Sequence, residues 1–266
     1  MQTFHFSEGT VPLLVSIPHC GTHIPPELAA RMTPAALRVP DTDWHLPRLY
    51  DFAPGLGASV LAATHSRYVI DLNRPEDDAN LYPGQDTTGL IPQDSFAKDA
   101  VYLPGQEPQA AEIAARKTRF WRPYHSKLAA ELERLKSLHG YALLWDAHSI
   151  ASHVPRFFPG RLTDFNLGTA GGSSCGAGLG DALLRLAAAE KAYDAVLNGR
   201  FKGGHITRRY GTPADKVHAV QLELSWAVYM DETWPYAYRP DLAAAVRPLL
   251  QRMLATMLSW GETQLR

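Results

Sequence analysis

Cysteine is scarce: the 266 residues hold two, Cys20 and Cys175. Two thiols so far apart make no disulfide framework, and their spacing matches no cysteine-based zinc motif, so a reducing compartment is expected. A surplus of one charge is missing too. Lysines and arginines number 26 against 27 acids, for a formal net charge of −1. With no long basic run, the chain carries no electrostatic footprint for nucleic acid or an anionic membrane. No apolar stretch is long enough to span a bilayer. The N-terminus, MQTFHFSEGT, lacks the basic start and apolar run of a signal peptide, so a cytoplasmic location is expected. Internal repeats and low-complexity linkers are also absent, and residues 1–266 read as a single domain. The partner expected of such a chain is a small molecule, and nothing in it specifies an oligomeric state.

What is present is ordinary globular composition, 45% hydrophobic and 20% charged. Short apolar runs bounded by turn residues read as buried strands: Val11 to Ile17, Ala58 to Ala62, Arg67 to Leu72, Tyr141 to Trp145 and Ala219 to Leu224. Helical periodicity occupies Pro108 to His139, with Gly140 as a stop and Pro123 as a kink or break, and recurs in Leu179 to Lys191 and Pro240 to Trp260. Strands alternating with helices predict an α/β sandwich around a mixed, mostly parallel sheet. Pro75 to Pro108 is polar, rich in proline and glycine, and without a period. It is expected to be a lid or rim.

Ligands of such sheets bind beyond the carboxyl ends of the strands. His19, Asn73-Arg74, and Asp146-Ala147-His148 each follow one of these runs directly, and Glu223 lies inside another. Four runs thus deliver chemistry to one sheet edge. His19 and His148 are the expected metal ligands, with Asp146 orienting His148 or ligating in its own right. Catalytic zinc takes three protein ligands and keeps an open position. Asp43 is the expected third, with Asp41 and His23 as alternatives. Asp41-Thr42-Asp43 also reads as a helix N-cap. Glu223, a lone carboxylate in an apolar strand, is the expected general base. Arg67, Asn73 and Arg74 suggest anion recognition, since arginine's planar fork suits carboxylates. Lys202, His205 and Arg208 flank a Gly-Gly turn that could form an anion pocket, and Arg161 could reach it. Cys20 beside His19 admits a Cys-His nucleophile, although adjacent strand-end residues point to opposite sides.

Taken together, SIPHCGTHIPPEL, DTDWHLPRLYDF, RYVIDLNRP, DAHS, PGRLTDFNLGT, NGRFKGGHITRRYG and VQLELSWAVYMDE resemble the N-formylglutamate amidohydrolase family, from about Val11 to Trp260. The resemblance implies hydrolysis of N-formyl-L-glutamate to formate and L-glutamate in histidine degradation. It also implies a divalent metal, zinc foremost, and a three-layer fold similar to zinc carboxypeptidases and aspartoacylases. In those enzymes the first ligand opens a His-x-x-Glu motif, whereas here it reads His19-Cys20-Gly21-Thr22. Their Asn-Arg pair, which binds the substrate carboxylate, corresponds to Asn73-Arg74, and their late glutamate base to Glu223. Arg74 is thereby the foremost substrate-holding and catalytic arginine. A deacylase of another N-acyl amino acid and a non-catalytic small-acid binder are the rival readings.

Overall fold

Seven strands form one sheet in the order β1-β3-β2-β4-β7-β5-β6 in the computed structural model, which describes residues 2–81 and 84–265. They are β1 (Phe4–Ser7), β2 (Leu13–Ile17), β3 (Ser59–Ala63), β4 (Ala142–Ile150), β5 (Phe165–Gly168), β6 (Ala195–Leu197) and β7 (Val217–Ser225). The β3-β2-β4-β7 pairings are parallel, as is β5-β6, while β1 opposes β3 and β5 opposes β7. The helices are α1 (Pro26–Ala29), α2 (Leu46–Leu49), α3 (Ala110–Arg116), α4 (Arg122–His139), α5 (Leu179–Ala188), α6 (His205–Tyr210) and α7 (Pro240–Leu265).

Side-chain alternation along the strands divides the core into two layers. Leu13, Val15, Leu143, Trp145 and Leu222 pack with Leu179 and Leu183 of α5 and Leu250 and Met257 of α7. Leu14, Leu144 and Ala219 pack on the opposite face with Tyr124, Leu128 and Leu135 of α4. This is the expected three-layer α/β arrangement. Burying each of these leucines contributes roughly 1.5–3 kcal/mol.

The α4 face changes character toward the carboxyl ends of the parallel strands. In register, Ser16 lies beside Asp146, Asp146 beside Gln221, and His148 beside Glu223. Polar side chains therefore replace Leu14, Leu144 and Ala219 on the same face, two to four residues further along each strand.

Proline and glycine punctuate the chain as their chemistry requires. The expected break at Pro123 appears as a π turn over Lys117–Trp121 with Pro123 in the first turn of α4, where its missing N–H is least costly. Gly140 ends α4 at φ 84.

Three expectations need correction. Residues 67–72 are a buried turn and not a strand. Tyr68, Val69, Ile70 and Leu72 are all buried, so burial and not sheet pairing accounts for the apolar run. Its backbone donors are met outside any sheet, with Val69 N donating to Ser66 O at 2.9 Å and Asp71 N to Leu90 O, from a distant loop, at 2.8 Å. The strand expected over Tyr141 to Trp145 spans Ala142–Ile150, which places Asp146 and His148 inside β4. The sheet also includes β1, β5 and β6, none of which was anticipated.

Both cysteines are free. Among the described residues, no helix is long and apolar enough to cross a membrane. The segment from 75 to 108 contains no helix or extended strand among its described residues, and it contributes Asp86, Thr87 and Phe96 to the cavity described below.

Candidate active site

His19 leaves the end of β2 and Asp43 comes from the loop before α2. The backbone joins them: Asp43 N donates to His19 O at 3.0 Å. The helix-cap role open to Asp43 is not used, because α2 begins after His45 without any side-chain cap. Asp43 Oδ2 instead lies 3.0 Å from His148 Nδ1 and 3.7 Å from His19 Nδ1, and it accepts Ser149 N–H at 3.1 Å. The donor atoms of His19, Asp43 and His148 lie within 4.8 Å of one another, and all three residues are buried. Among the described residues this is the one such group. Two imidazole nitrogens and a carboxylate match the donor set of an open zinc site, so the group could hold a metal ion.

Each histidine turns its other nitrogen toward a carboxylate. His19 Nε2 lies 2.7 Å from Asp71 Oδ1, and Arg67 donates to Asp71 Oδ2 at 2.6 Å. His148 Nε2 lies 3.2 Å from Asp146 Oδ1 and 3.1 Å from Asn73 Nδ2. Thr207 donates to the second oxygen of Asp146 at 2.9 Å. Such carboxylates fix the ring and tautomer of a ligating histidine.

These charges shape one another's ionisation. Burial disfavours the Asp43 carboxylate, but the two histidines hold its pKa well below the ordinary range. Burial likewise opposes Asp71, and Arg67 and His19 reverse it, keeping the group ionised. Burial would lower the His148 pKa, yet Asp146 and Asp43 lift it well above the ordinary imidazole value.

Glu223 stands apart from the ion pairs. Gln221 Nε2 donates to its Oε2 at 3.2 Å, and burial pushes its pKa up to about 8, with Asp43 adding to the rise and His148 opposing it. A carboxyl poised near neutrality can both accept and donate a proton. Gln221 Oε1 accepts Gly204 N–H at 2.7 Å, and Asn73 Oδ1 accepts Ile206 N–H at 2.8 Å. A Cβ on Gly204 would meet Asn73 Nδ2 at 2.3 Å, so only glycine admits this approach.

A cavity of about 80 Å³ is lined by His19, Asp43, His148, Gln221 and Glu223, together with Arg67, Asn73, Arg74, Phe96, Phe157, Arg200, Phe201 and Gly204. That is room for several waters or one small ligand. The two alternative third ligands lie elsewhere. Asp41 accepts Tyr68 O–H at 2.7 Å and Phe96 N–H at 2.9 Å, and burial raises its pKa to about 6. His23 packs on His65 with ring centroids 4.9 Å apart.

Four expected anion-binding residues do not line the cavity. Arg161 is spent on Asp164 and lies 3.9 Å from Asp194. Lys202 and Arg208 are exposed, and Arg208 donates Nε–H to Gly203 O at 2.8 Å. His205 packs on the His125 ring at 5.5 Å. Arg200, three residues before the Gly-Gly turn, does line the cavity and had not been singled out. Asp71 and Gln221 were also missed, although both are polar residues inside otherwise apolar runs. The Cys-His alternative finds no support in the contacts, since Cys20 Sγ–H donates to Ile17 O and Ala63 O, each at 3.3 Å, and burial raises its pKa.

Residues 11–230 match the family model described as N-formylglutamate amidohydrolase. An N-formylglutamate deformylase of Pseudomonas aeruginosa is 54% identical over 260 residues, covering 98% of this chain and 97% of that protein. One of Pseudomonas putida is 51% identical with the same coverage. The crystal structure of N-formylglutamate amidohydrolase from Ralstonia eutropha superposes with a TM-score of 0.82 at 26% identity, covering 99% of this chain and 98% of that one.

Proposed function

Since the chain belongs to the N-formylglutamate amidohydrolase family, we propose that it hydrolyses N-formyl-L-glutamate to formate and L-glutamate with a divalent metal, zinc foremost, held by His19, Asp43 and His148. The observation that carries this reading is the buried His-Asp-His group with Glu223 in register beside His148. The products suit the place in histidine degradation that the family resemblance implies, and a cytoplasmic setting suits the two free thiols.

When bound, the metal supplies Lewis-acid polarisation of the formyl carbonyl and acidifies a water. Glu223 accepts that water's proton as the oxygen attacks the formyl carbon, then delivers it to the substrate nitrogen as the C–N bond breaks. Its carboxyl, at about 8 through burial, ionises more readily beside a cation. Asp71 and Asp146 hold the two imidazoles so that both Nδ1 atoms converge on Asp43. Arg74, itself fixed by donating to Thr88 O at 2.7 Å and Asn73 O at 3.1 Å, holds the α-carboxylate. The described residues of 75–108, Asp86, Thr87 and Phe96 among them, act as the rim that narrows the cavity, and the chain serves as one catalytic domain.

The test is formate release from N-formyl-L-glutamate by chelator-stripped protein before and after zinc is restored. Turnover should vanish on stripping and return with one equivalent of metal. Undiminished turnover of protein shown to be metal-free would refute the reading.

A further inference from the structure

Three side chains hold a metal tightly only where the surrounding structure fixes all three relative to one another. Sheet and backbone supply two of the three links. His19 follows β2 and His148 lies in β4, and these strands are paired in register as far as Ser16 and Asp146. Asp43 is tied to His19 through Asp43 N, which donates to His19 O at 3.0 Å. The link between Asp43 and His148 is of another kind. Asp43 Oδ2 lies 3.0 Å from His148 Nδ1, but these are the donor atoms themselves, and donors that hold an ion no longer hold each other. Ser149 N–H reaches the same oxygen at 3.1 Å, which anchors the carboxylate and not the loop that carries it.

Tyr229 supplies the missing link. It follows the turn Trp226–Val228 after β7 and is fully buried, in the core layer that holds Leu143, Trp145 and Ala147 of β4. Alternation along β4 turns Ser149 toward that same layer, away from His148. Tyr229 O–H donates to Trp44 O at 2.9 Å. A phenol has one proton, so at its 2.7 Å contact with Ser149 Oγ it accepts, and Ser149 O–H donates. One buried hydroxyl thus joins the residue after Asp43 to the residue after His148, using none of the ligating atoms. The backbone of Tyr229 is itself fixed, with Tyr229 N donating to Trp226 O at 3.0 Å and Arg239 N to Tyr229 O at 3.1 Å.

We propose that Tyr229 is a positioning residue that holds the Asp43 loop against β4 at the spacing that binds the metal. The inference rests on the metal reading above. Without the bridge, Trp44 O and Ser149 Oγ lose their partner, and the loop keeps its tether to His19 but not its tether to β4. Asp43 must then be ordered as the metal binds, and that cost falls on affinity.

The experiment is competition for zinc between a chromophoric chelator and wild type, Tyr229→Phe, Ser149→Ala and Tyr50→Phe. Tyr50 is the control. Its hydroxyl accepts Trp145 Nε1–H at 3.0 Å, a buried hydrogen bond of the same layer that joins neither Trp44 nor Ser149. Tyr229→Phe keeps the ring and should weaken zinc binding by about 10- to 100-fold. Ser149→Ala cuts the bridge at its other end and should weaken binding too. The double variant should lose no more than Tyr229→Phe alone, because both remove one bridge. Tyr50→Phe should lower the thermal midpoint of the metal-free protein and leave zinc affinity unchanged. The absorption bands of the cobalt-loaded proteins report ligand geometry, and they should change in Tyr229→Phe but not in Tyr50→Phe. Wild-type zinc affinity in Tyr229→Phe or Ser149→Ala overturns the role of Tyr229. So does an equal loss in Tyr50→Phe, since the effect would then be one of stability alone. If Tyr229→Phe does not fold, Ser149→Ala decides by the same measurement. Wild type that binds no zinc, or binds it as tightly after His148→Ala, overturns the metal reading itself, without reference to Tyr229.

Discussion

His148 on β4 and Glu223 on β7 are register partners in a parallel pair, on the sheet face that packs against α4. Pairing on one face of adjacent strands places the proposed metal-ligating imidazole and a neutral-range carboxyl side by side on two central strands of the sheet. Glu223→Gln keeps the side chain's size and removes its basicity. The variant should bind zinc with wild-type stoichiometry and lose roughly 100- to 10,000-fold in kcat. Elemental analysis beside a formate assay checks both halves, and a variant that keeps full turnover removes Glu223 from the mechanism.

Asp71 ties His19 to Arg67. Asp71→Asn retains shape but cannot match the charge of either neighbour. Zinc affinity should fall by about 10- to 100-fold, the usual cost of losing a carboxylate behind a ligating histidine. Competition with a chromophoric chelator measures this directly, and an unaltered dissociation constant would show that His19 needs no such partner.

Gly204 is a steric requirement of the site. A methyl group there collides with the Asn73 amide at 2.3 Å, and Asn73 Nδ2 is 3.1 Å from His148 Nε2. Gly204→Ala should therefore reduce kcat/KM at least tenfold while far-ultraviolet dichroism stays native, with overpacking costing about 1–3 kcal/mol of stability. Wild-type kinetics in this variant would mean that the loop gives way without disturbing Asn73.

His19, His148 and Glu223 were legible in the sequence because each lies at or near the carboxyl end of a short apolar run, where α/β sheets bind ligands. Asp71 was not, because the run from Arg67 to Leu72 has strand-like composition and folds as a buried turn. Composition reports burial there, and the backbone partner, Leu90 O, comes from a distant loop that no local pattern reveals. Arg200 was overlooked for a similar reason. Lys202 and Arg208 flank the Gly-Gly turn more conspicuously, but direction decides which cation meets the cavity, and direction is set by packing on Phe157. The alternation Asp146-x-His148 beside Gln221-x-Glu223 was the strongest signal left unused, since it predicts one polar face across two strands.

Acid should destabilise the protein through His125. Burial, His205 and Arg209 push its pKa down to about 3, against a hydrogen bond to Leu72 O that favours the charged form. The unfolded chain has an imidazole pKa of about 6.5. Between these values the unfolded state binds a proton that the native state does not, so stability is full above about pH 6.5 and declines as pH falls toward 3. His65, lowered to about 4 chiefly by burial, acts in the same direction. The thermal midpoint should drop between pH 7 and pH 5, and more shallowly in His125→Gln. Parallel profiles for the two proteins would rule His125 out as a source of the slope.

The central claim is that His19, Asp43 and His148 hold the catalytic metal. Anomalous diffraction from crystals of the zinc-loaded protein, collected on both sides of the zinc absorption edge, tests it most directly. One strong peak is expected at about 2.0–2.2 Å from Nδ1 of His19, Nδ1 of His148 and a carboxylate oxygen of Asp43. A peak elsewhere in the molecule, or none in crystals of protein with full turnover, would contradict it.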